Sequence, residues 1–160
     1  CIKSLKSTKE LAIGLSDHTI RILDEDTFIT KQILDTHNNS IFTIESIDNH
    51  TFSSAGRDAL ILVWKRKNDQ WTLFETIQAH LYTVNHLTLS PDKKLLASGS
   101  RDKTIKIWDA KNLKLLKVID RDKFPDSHSH SVNKLLWLSD NQLLSTGDDK
   151  KIISWKIYND

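Results

Sequence analysis

Serine, histidine and aspartate recur in this 160-residue sequence in a way that invites a hydrolytic reading. His37, Ser54 and Asp58 form one group, His80, Ser98 and Asp102 a second, and His128, Ser145 and Asp149 a third. An imidazole that activates a hydroxyl, itself oriented by a carboxylate, is the machinery of nucleophilic acyl transfer. Repetition argues against that chemistry. An enzyme needs one such group, exposed beside an oxyanion hole, whereas equivalent copies at one period read as a structural device. No Gly-x-Ser-x-Gly elbow is present to lift a serine out of a strand–turn–helix corner. His128 and His130, with Asp122 and Asp126 nearby, could in principle ligate a divalent metal. A polar loop is the favoured reading, and no metal or other cofactor is expected. Glu45, Asp48 and the Asp24–Asp26 run read as solvated turn charges. Cys1 has no partner histidine in register, so it is not read as a nucleophile.

The elements that hold these residues follow from self-similarity. Ile13–Leu23, Ser54–Trp64, Ser98–Trp108 and Ser145–Trp155 align without gaps. In each, an aspartate (Asp17, Asp58, Asp102, Asp149) stands six residues before the terminal Trp or its Leu substitute, and the steps between ends are 41, 44 and 47 residues. All four glycines, Gly14, Gly56, Gly99 and Gly147, fall two or three residues ahead of these aspartates. Tight turns that need permissive backbone are expected there. The residues after each aspartate alternate in the strand period and are rich in β-branched types. Apolar runs lie upstream (Ile41–Ile47, Val84–Leu89, Val132–Leu138) and downstream (Trp71–Ile77, Leu113–Ile119), giving four short strands per unit. A turn is expected at Ser90–Lys94, where Pro91 and Asp92 favour one. Four strands per unit of about 40–45 residues is the propeller period. A β-sandwich has no reason to repeat side chains in register.

At these residues the chain resembles the WD-repeat family, most strongly from His80 through the run LLASGSRDKTIKIWD at Leu95–Asp109. The resemblance implies an all-β propeller of about four blades, each a four-stranded antiparallel sheet, with the last blade lacking its outer strand. The blades are expected at residues 1–36, 37–79, 80–127 and 128–160, the first degenerate and N-terminally truncated. The resemblance also implies that a histidine, a serine, the turn aspartate and a tryptophan join in a buried hydrogen-bonded chain in each blade. The expected sets are His37–Ser54–Asp58–Trp64, His80–Ser98–Asp102–Trp108 and His128–Ser145–Asp149–Trp155. Such groups can satisfy one another, and buried polar groups are costly unless they do. The first unit has Ile13 and Leu23 at the serine and tryptophan stations, so it is expected to be the least regular blade.

In this family, partners commonly dock on the top face, through the residues three and five after the histidine and the one before the turn aspartate. By position these are Ser40, Phe42 and Arg57, then Thr83, Asn85 and Arg101, then Ser131, Asn133 and Asp148, with Ser16 alone in the first unit. Arg57 and Arg101 could fork onto carboxylates or phosphates. The partner is therefore expected to be a protein or peptide, acidic or phosphorylated, with Phe42 as an apolar anchor. The function expected is a non-catalytic interaction scaffold or sensor module. The alternative is a propeller-borne hydrolase-type enzyme with a channel-facing site.

Composition narrows the field further. Apolar residues make up 38% and charged residues 28%, as in a globular protein rather than a disordered or membrane-spanning one. The net charge of +2 gives no electrostatic case for nucleic acid, and the basic clusters Lys65–Lys67, Lys93–Lys94 and Lys150–Lys151 fall on different blades. A single cysteine leaves no internal disulfide, so a reducing cytoplasm is expected. The sequence contains no methionine, which suggests part of a longer chain, with more blades before Cys1; the alternative is two copies closing a ring of about eight blades.

Overall fold

The computed structural model describes residues 1–158. They form four antiparallel sheets, each a simple meander in chain order. The first sheet is β1 (Ile2–Leu5), β2 (Glu10–Gly14), β3 (Thr19–Asp24) and β4 (Thr30–Asp35). The second is β5 (Ile41–Asp48), β6 (Thr51–Gly56), β7 (Leu60–Lys67) and β8 (Gln70–Gln78), and the third is β9 (Val84–Leu89), β10 (Leu95–Ser100), β11 (Ile105–Asp109) and β12 (Leu115–Ile119). The fourth has three strands, β13 (Val132–Ser139), β14 (Gln142–Gly147) and β15 (Ile152–Lys156). One 3-10 turn, Lys6–Thr8, is the sole helical piece among the described residues. These are the blades of a β-propeller, the last of them without an outer strand among the described residues.

The chain divides into two compact units, Cys1–Val84 and the residues from Asn85 onward. In the first, Ala12, Ile20 and Ile22 of the first sheet join Ile41, Phe52, Leu62, Trp64 and Trp71 of the second in one apolar core. Phe52 stacks on Trp64 with centroids 6.0 Å apart and meets Trp71 edge-on at 4.8 Å. Such aromatic pairs add about 0.5–1.5 kcal/mol each beyond the area they bury. In the second unit, Leu95, Ala97, Ile105 and Ile107 pack with Val132, Leu135, Trp137 and Leu143.

Strands β6 and β10 are buried along their whole length. Their Ser, Ala and Gly content follows from cover on both faces, which leaves little room for large side chains. Outer strands are the reverse: β4, β8 and β15 are largely exposed.

The glycines correct the expectation placed on them. None has a positive φ, and each lies at the end of the second strand of its sheet rather than in a turn. What demands glycine is close approach. A Cβ on Gly56 would sit 2.1 Å from the Ser40 carbonyl oxygen, and one on Gly99 would sit 2.9 Å from Val132 Cγ1. The left-handed residue of each turn is instead the one after the aspartate: His18, Ala59, Lys103 and Lys150, with φ of 66°, 65°, 75° and 63°.

The first sheet also departs from expectation. Its β1–β2 and β2–β3 ladders run without a register shift, whereas β5–β6 and β13–β14 each carry two. Asp17 has lost its deep partners and caps its own turn, accepting hydrogen bonds from the Thr19 amide at 3.1 Å and hydroxyl at 2.7 Å. A local cap and an apolar face keep this blade regular.

Candidate functional site

In the second sheet the deep polar set is built across the strands. Strand β6 places Ser54, β7 places Trp64, and His37 enters from the segment before β5. His37 Nδ1 lies 2.7 Å from Asp58 Oδ2, and Nε2 lies 2.7 Å from Ser54 Oγ. Trp64 Nε1 donates to the same Ser54 Oγ at 2.9 Å. The carboxylate can only accept, so Nδ1 carries the ring proton, Ser54 donates to Nε2, and the indole donates to Ser54. Asp58 also accepts from the Asn38 and Leu60 amides at 3.2 and 3.3 Å, tying the incoming loop to the β6–β7 turn. Burial pushes the Asp58 carboxyl up, but the His37 ring and these amides outweigh it and hold it below the usual range.

The fourth sheet repeats the arrangement. His128 Nδ1 meets Asp149 at 2.9 Å, Nε2 meets Ser145 Oγ at 2.8 Å, and Trp155 Nε1 donates to Ser145 Oγ at 2.8 Å. Asp149 also accepts from the Ser129 and Lys151 amides at 3.0 and 3.2 Å. Desolvation opposes ionisation here too, yet His128 and the two amides hold Asp149 at about 2. Because both His128 ring nitrogens are engaged, it is not free to serve as a metal ligand; His130 is exposed and pairs with Ser129 Oγ at 2.9 Å. Trp155 is only half-buried, unlike Trp64, and leans edge-on against Phe124 at 6.0 Å.

In the third sheet Trp108 Nε1 donates to Ser98 Oγ at 2.9 Å, and Asp102 Oδ1 accepts from the Thr104 amide and hydroxyl at 3.0 and 2.7 Å. His80 is buried in the first compact unit, while Ser98, Asp102 and Trp108 belong to the second.

The three serines are fully buried at 0% exposure. In the second and fourth sheets, serine and histidine carry the donor–acceptor polarity of a catalytic triad. The tryptophan N–H takes the serine oxygen's free lone pair, however, and no surface reaches the hydroxyl. These sets hold turns and loops in place.

Above them, in the first unit, Arg57 N donates to Ser40 O at 2.9 Å and Ser40 Oγ to Ser16 O at 3.2 Å. Phe42 sits at the register shift between Ile41 and Thr43, which turns it outward, 44% exposed. Ser40 thus ties Ser16 to Arg57, and Phe42 is exposed two residues further along, while Thr83 is buried. In the second unit, Asn85 Nδ2 donates to Ser131 Oγ at 2.8 Å and Val132 O at 2.9 Å. Ser131 donates to Asn133 Oδ1 at 3.1 Å, and Asn133 Nδ2 to Asp148 Oδ1 at 2.6 Å. These four side chains are fixed by one another. Arg57 and Arg101 are exposed, and among the described residues no carboxylate pairs with either.

Sequence reasoning missed a buried cluster in the first unit. Glu10, 1% exposed, meets Arg66 Nη1, accepts from Trp71 Nε1 at 2.9 Å and lies 2.9 Å from Lys31 Nζ. Burial pushes its carboxyl up, and these partners bring it below its usual value. Gln32 reinforces the same junction, exchanging two hydrogen bonds with the Trp71 backbone at 2.7 and 2.9 Å. Arg66 belongs to the basic run Lys65–Lys67 and is largely consumed here. The remaining carboxylates named from sequence have local roles: Asp24 caps Asp26 and Thr27, Asp48 caps His50, and Glu45 pairs with Lys3.

A sequence model of the WD domain, G-beta repeat, matches residues 71–109 and 121–156, which hold most of β8, strands β9–β11 of the third sheet and the whole fourth sheet. A p21-activated protein kinase-interacting protein 1-like protein of Danio rerio is 29% identical over 134 residues, covering 84% of this chain and 34% of that protein. Its Gallus gallus counterpart is 26% identical over 151 residues, 94% of this chain and 38% of that protein. A DDB1- and CUL4-associated factor 11 homolog of Caenorhabditis elegans is 26% identical over 117 residues, 68% of this chain and 20% of that protein. The chain spans about a third of the length of the first two. The second sheet lies mostly outside the matched windows, yet it carries the same Ser–His–Asp–Trp chain as the fourth, and together these findings support a WD-repeat family for the chain.

Proposed function

We propose that this chain is a non-catalytic interaction module that docks a protein or peptide through its top-face loops. One observation carries the reading: the Ser–His–Asp groups of the second and fourth sheets are buried and mutually satisfied, whereas Arg57 and Arg101 are exposed on turns of a rigid scaffold and Phe42 is exposed at the start of β5. An arginine with no carboxylate partner is a ready donor fork for a carboxylate or phosphate. The partner chemistry proposed is therefore acidic or phosphorylated, with Phe42 offering apolar contact. Asp148 does not oppose this strongly, because Asn133 already engages its carboxylate.

Similarity to p21-activated protein kinase-interacting proteins supports a protein partner and makes a kinase of that class the first bait to try. The test is affinity capture with the intact chain and with the Arg57→Ala/Arg101→Ala double variant, both checked for unchanged circular dichroism. Loss of capture in the variant is expected. Turnover of an ester or peptide substrate that is abolished by Ser54→Ala or Ser145→Ala would overturn the non-catalytic reading.

A further inference from the structure

The face of the third sheet that carries Leu95, Ala97 and Ile107 is the one the fourth sheet covers, as the approach of Gly99 to Val132 and Leu135 requires. Register places Asp109 beside Leu95 and Lys117 beside Ile107 on that same face. Along this corner Ile157 and Tyr158 stand beside Leu95 and Ile107 and line a cleft of about 580 Å³ within the second compact unit. That volume suits a small ligand or a few peptide side chains.

Four lysines line the cleft: Lys93 and Lys94 from the β9–β10 turn, Lys111 from the β11–β12 turn, and Lys117 from β12. The one lining carboxylate, Asp109, is directed into its own turn, accepting from the Lys111 and Asn112 amides at 2.9 and 2.8 Å. Lys94 pairs loosely with Asp92 at 3.5 Å and remains 74% exposed. The floor is apolar, with Leu116 about half exposed. A wholly polar polyanion would satisfy the lysines and leave that floor wet; an uncharged apolar ligand would do the opposite.

We propose that this cleft binds an acidic peptide segment, one apolar side chain seated on the floor and flanking carboxylates paired with the lysines. None of its lining residues is among the top-face residues of the same unit, Asn85, Arg101, Ser131, Asn133 and Asp148. Charge attraction across a concave site also speeds capture and falls with ionic strength.

The test is fluorescence anisotropy of the 160-residue chain with a labelled peptide bearing a central leucine flanked on both sides by glutamates. Lys93 and Lys111 are exposed turn residues, so a Lys93→Ala/Lys111→Ala variant keeps the fold, checked by circular dichroism. The expected result is about five- to tenfold weaker binding by that variant, from the loss of two exposed ion pairs. A glutamine-for-glutamate peptide and a serine-for-leucine peptide should both bind at least about fivefold more weakly, and Arg57→Ala should bind normally, which separates this site from the top face. Equal binding by the lysine variant, or by the glutamine peptide, overturns the proposal. So does full displacement by inositol hexakisphosphate together with indifference to the leucine, since that outcome marks a small-polyanion site.

Discussion

Ser54→Ala isolates the cost of opening one of the buried chains. The substitution removes a single hydroxyl but strands two groups, the Trp64 indole N–H that donated at 2.9 Å and the His37 Nε2 that accepted at 2.7 Å. Trp64 is 2% exposed, so water cannot replace the lost partner. At about 1–3 kcal/mol for each stranded buried group, the loss is about 2–6 kcal/mol, a large share of a typical domain's stability. Ser145→Ala breaks the same two bonds in the fourth sheet, but there the half-buried Trp155 can be hydrated. Only His128 is then stranded, and the loss falls to about 1–3 kcal/mol. Ile13 and Leu23 at the corresponding stations of the first sheet indicate that an apolar pair is tolerated when both partners change together. Ser54→Ala and Trp64→Phe should therefore be less than additive, by about 1–2 kcal/mol. Urea denaturation followed by tryptophan fluorescence and circular dichroism measures all of these. The reasoning fails if Ser145→Ala costs as much as Ser54→Ala, or if both cost less than about 1 kcal/mol.

Acid should weaken the fourth sheet through Asp149. Its folded value of about 2 lies below the ordinary 3.8, so the stability it contributes is complete above the ordinary value and disappears as pH falls toward 2. Solvent screening at the turn reduces the amount to about 1–2 kcal/mol, and Asp149→Asn should flatten that part of the pH profile of the urea midpoint. Gly56→Ala drives a Cβ to 2.1 Å from backbone oxygen and should cost more than about 2 kcal/mol, while Lys150→Gly, at φ 63°, should gain up to about 1 kcal/mol. Thermal unfolding of both variants would check the pair. Glu10→Gln leaves the Arg66 guanidinium without its buried counter-charge and should cost about 3 kcal/mol in the same assay. Sedimentation of the chain should report a monomer, and a stable dimer would favour closure of a ring by two copies.

Repetition made the blades legible, because aspartate-to-tryptophan spacing of six residues is a period that one sequence can display. The apolar runs marked nearly every strand for the same reason. Direction was not legible. The glycine positions were plain, but only packing reveals that Gly56 faces the Ser40 carbonyl and that the turns use Ala59 and Lys150 instead. Nor could Glu10 and Arg66, 56 residues apart and matched by no repeat, be joined before the strands were in place. The outward set of Phe42 and Asn133 depends on register shifts in β5 and β13, which have no clear sequence mark. The cleft lysines were visible as one basic doublet, Lys93–Lys94, and two single residues, Lys111 and Lys117; the fold gathers them at one corner of a sheet.

If the loops bind a partner, the buried chains only support them. The direct measurement is the affinity of an acidic or phosphorylated partner for the intact chain, for Arg57→Ala/Arg101→Ala, and for Ser145→Ala under conditions where all three are folded. The arginine variant should lose at least about tenfold in affinity, while Ser145→Ala should bind normally and be only less stable. Unchanged binding by the arginine variant would contradict it.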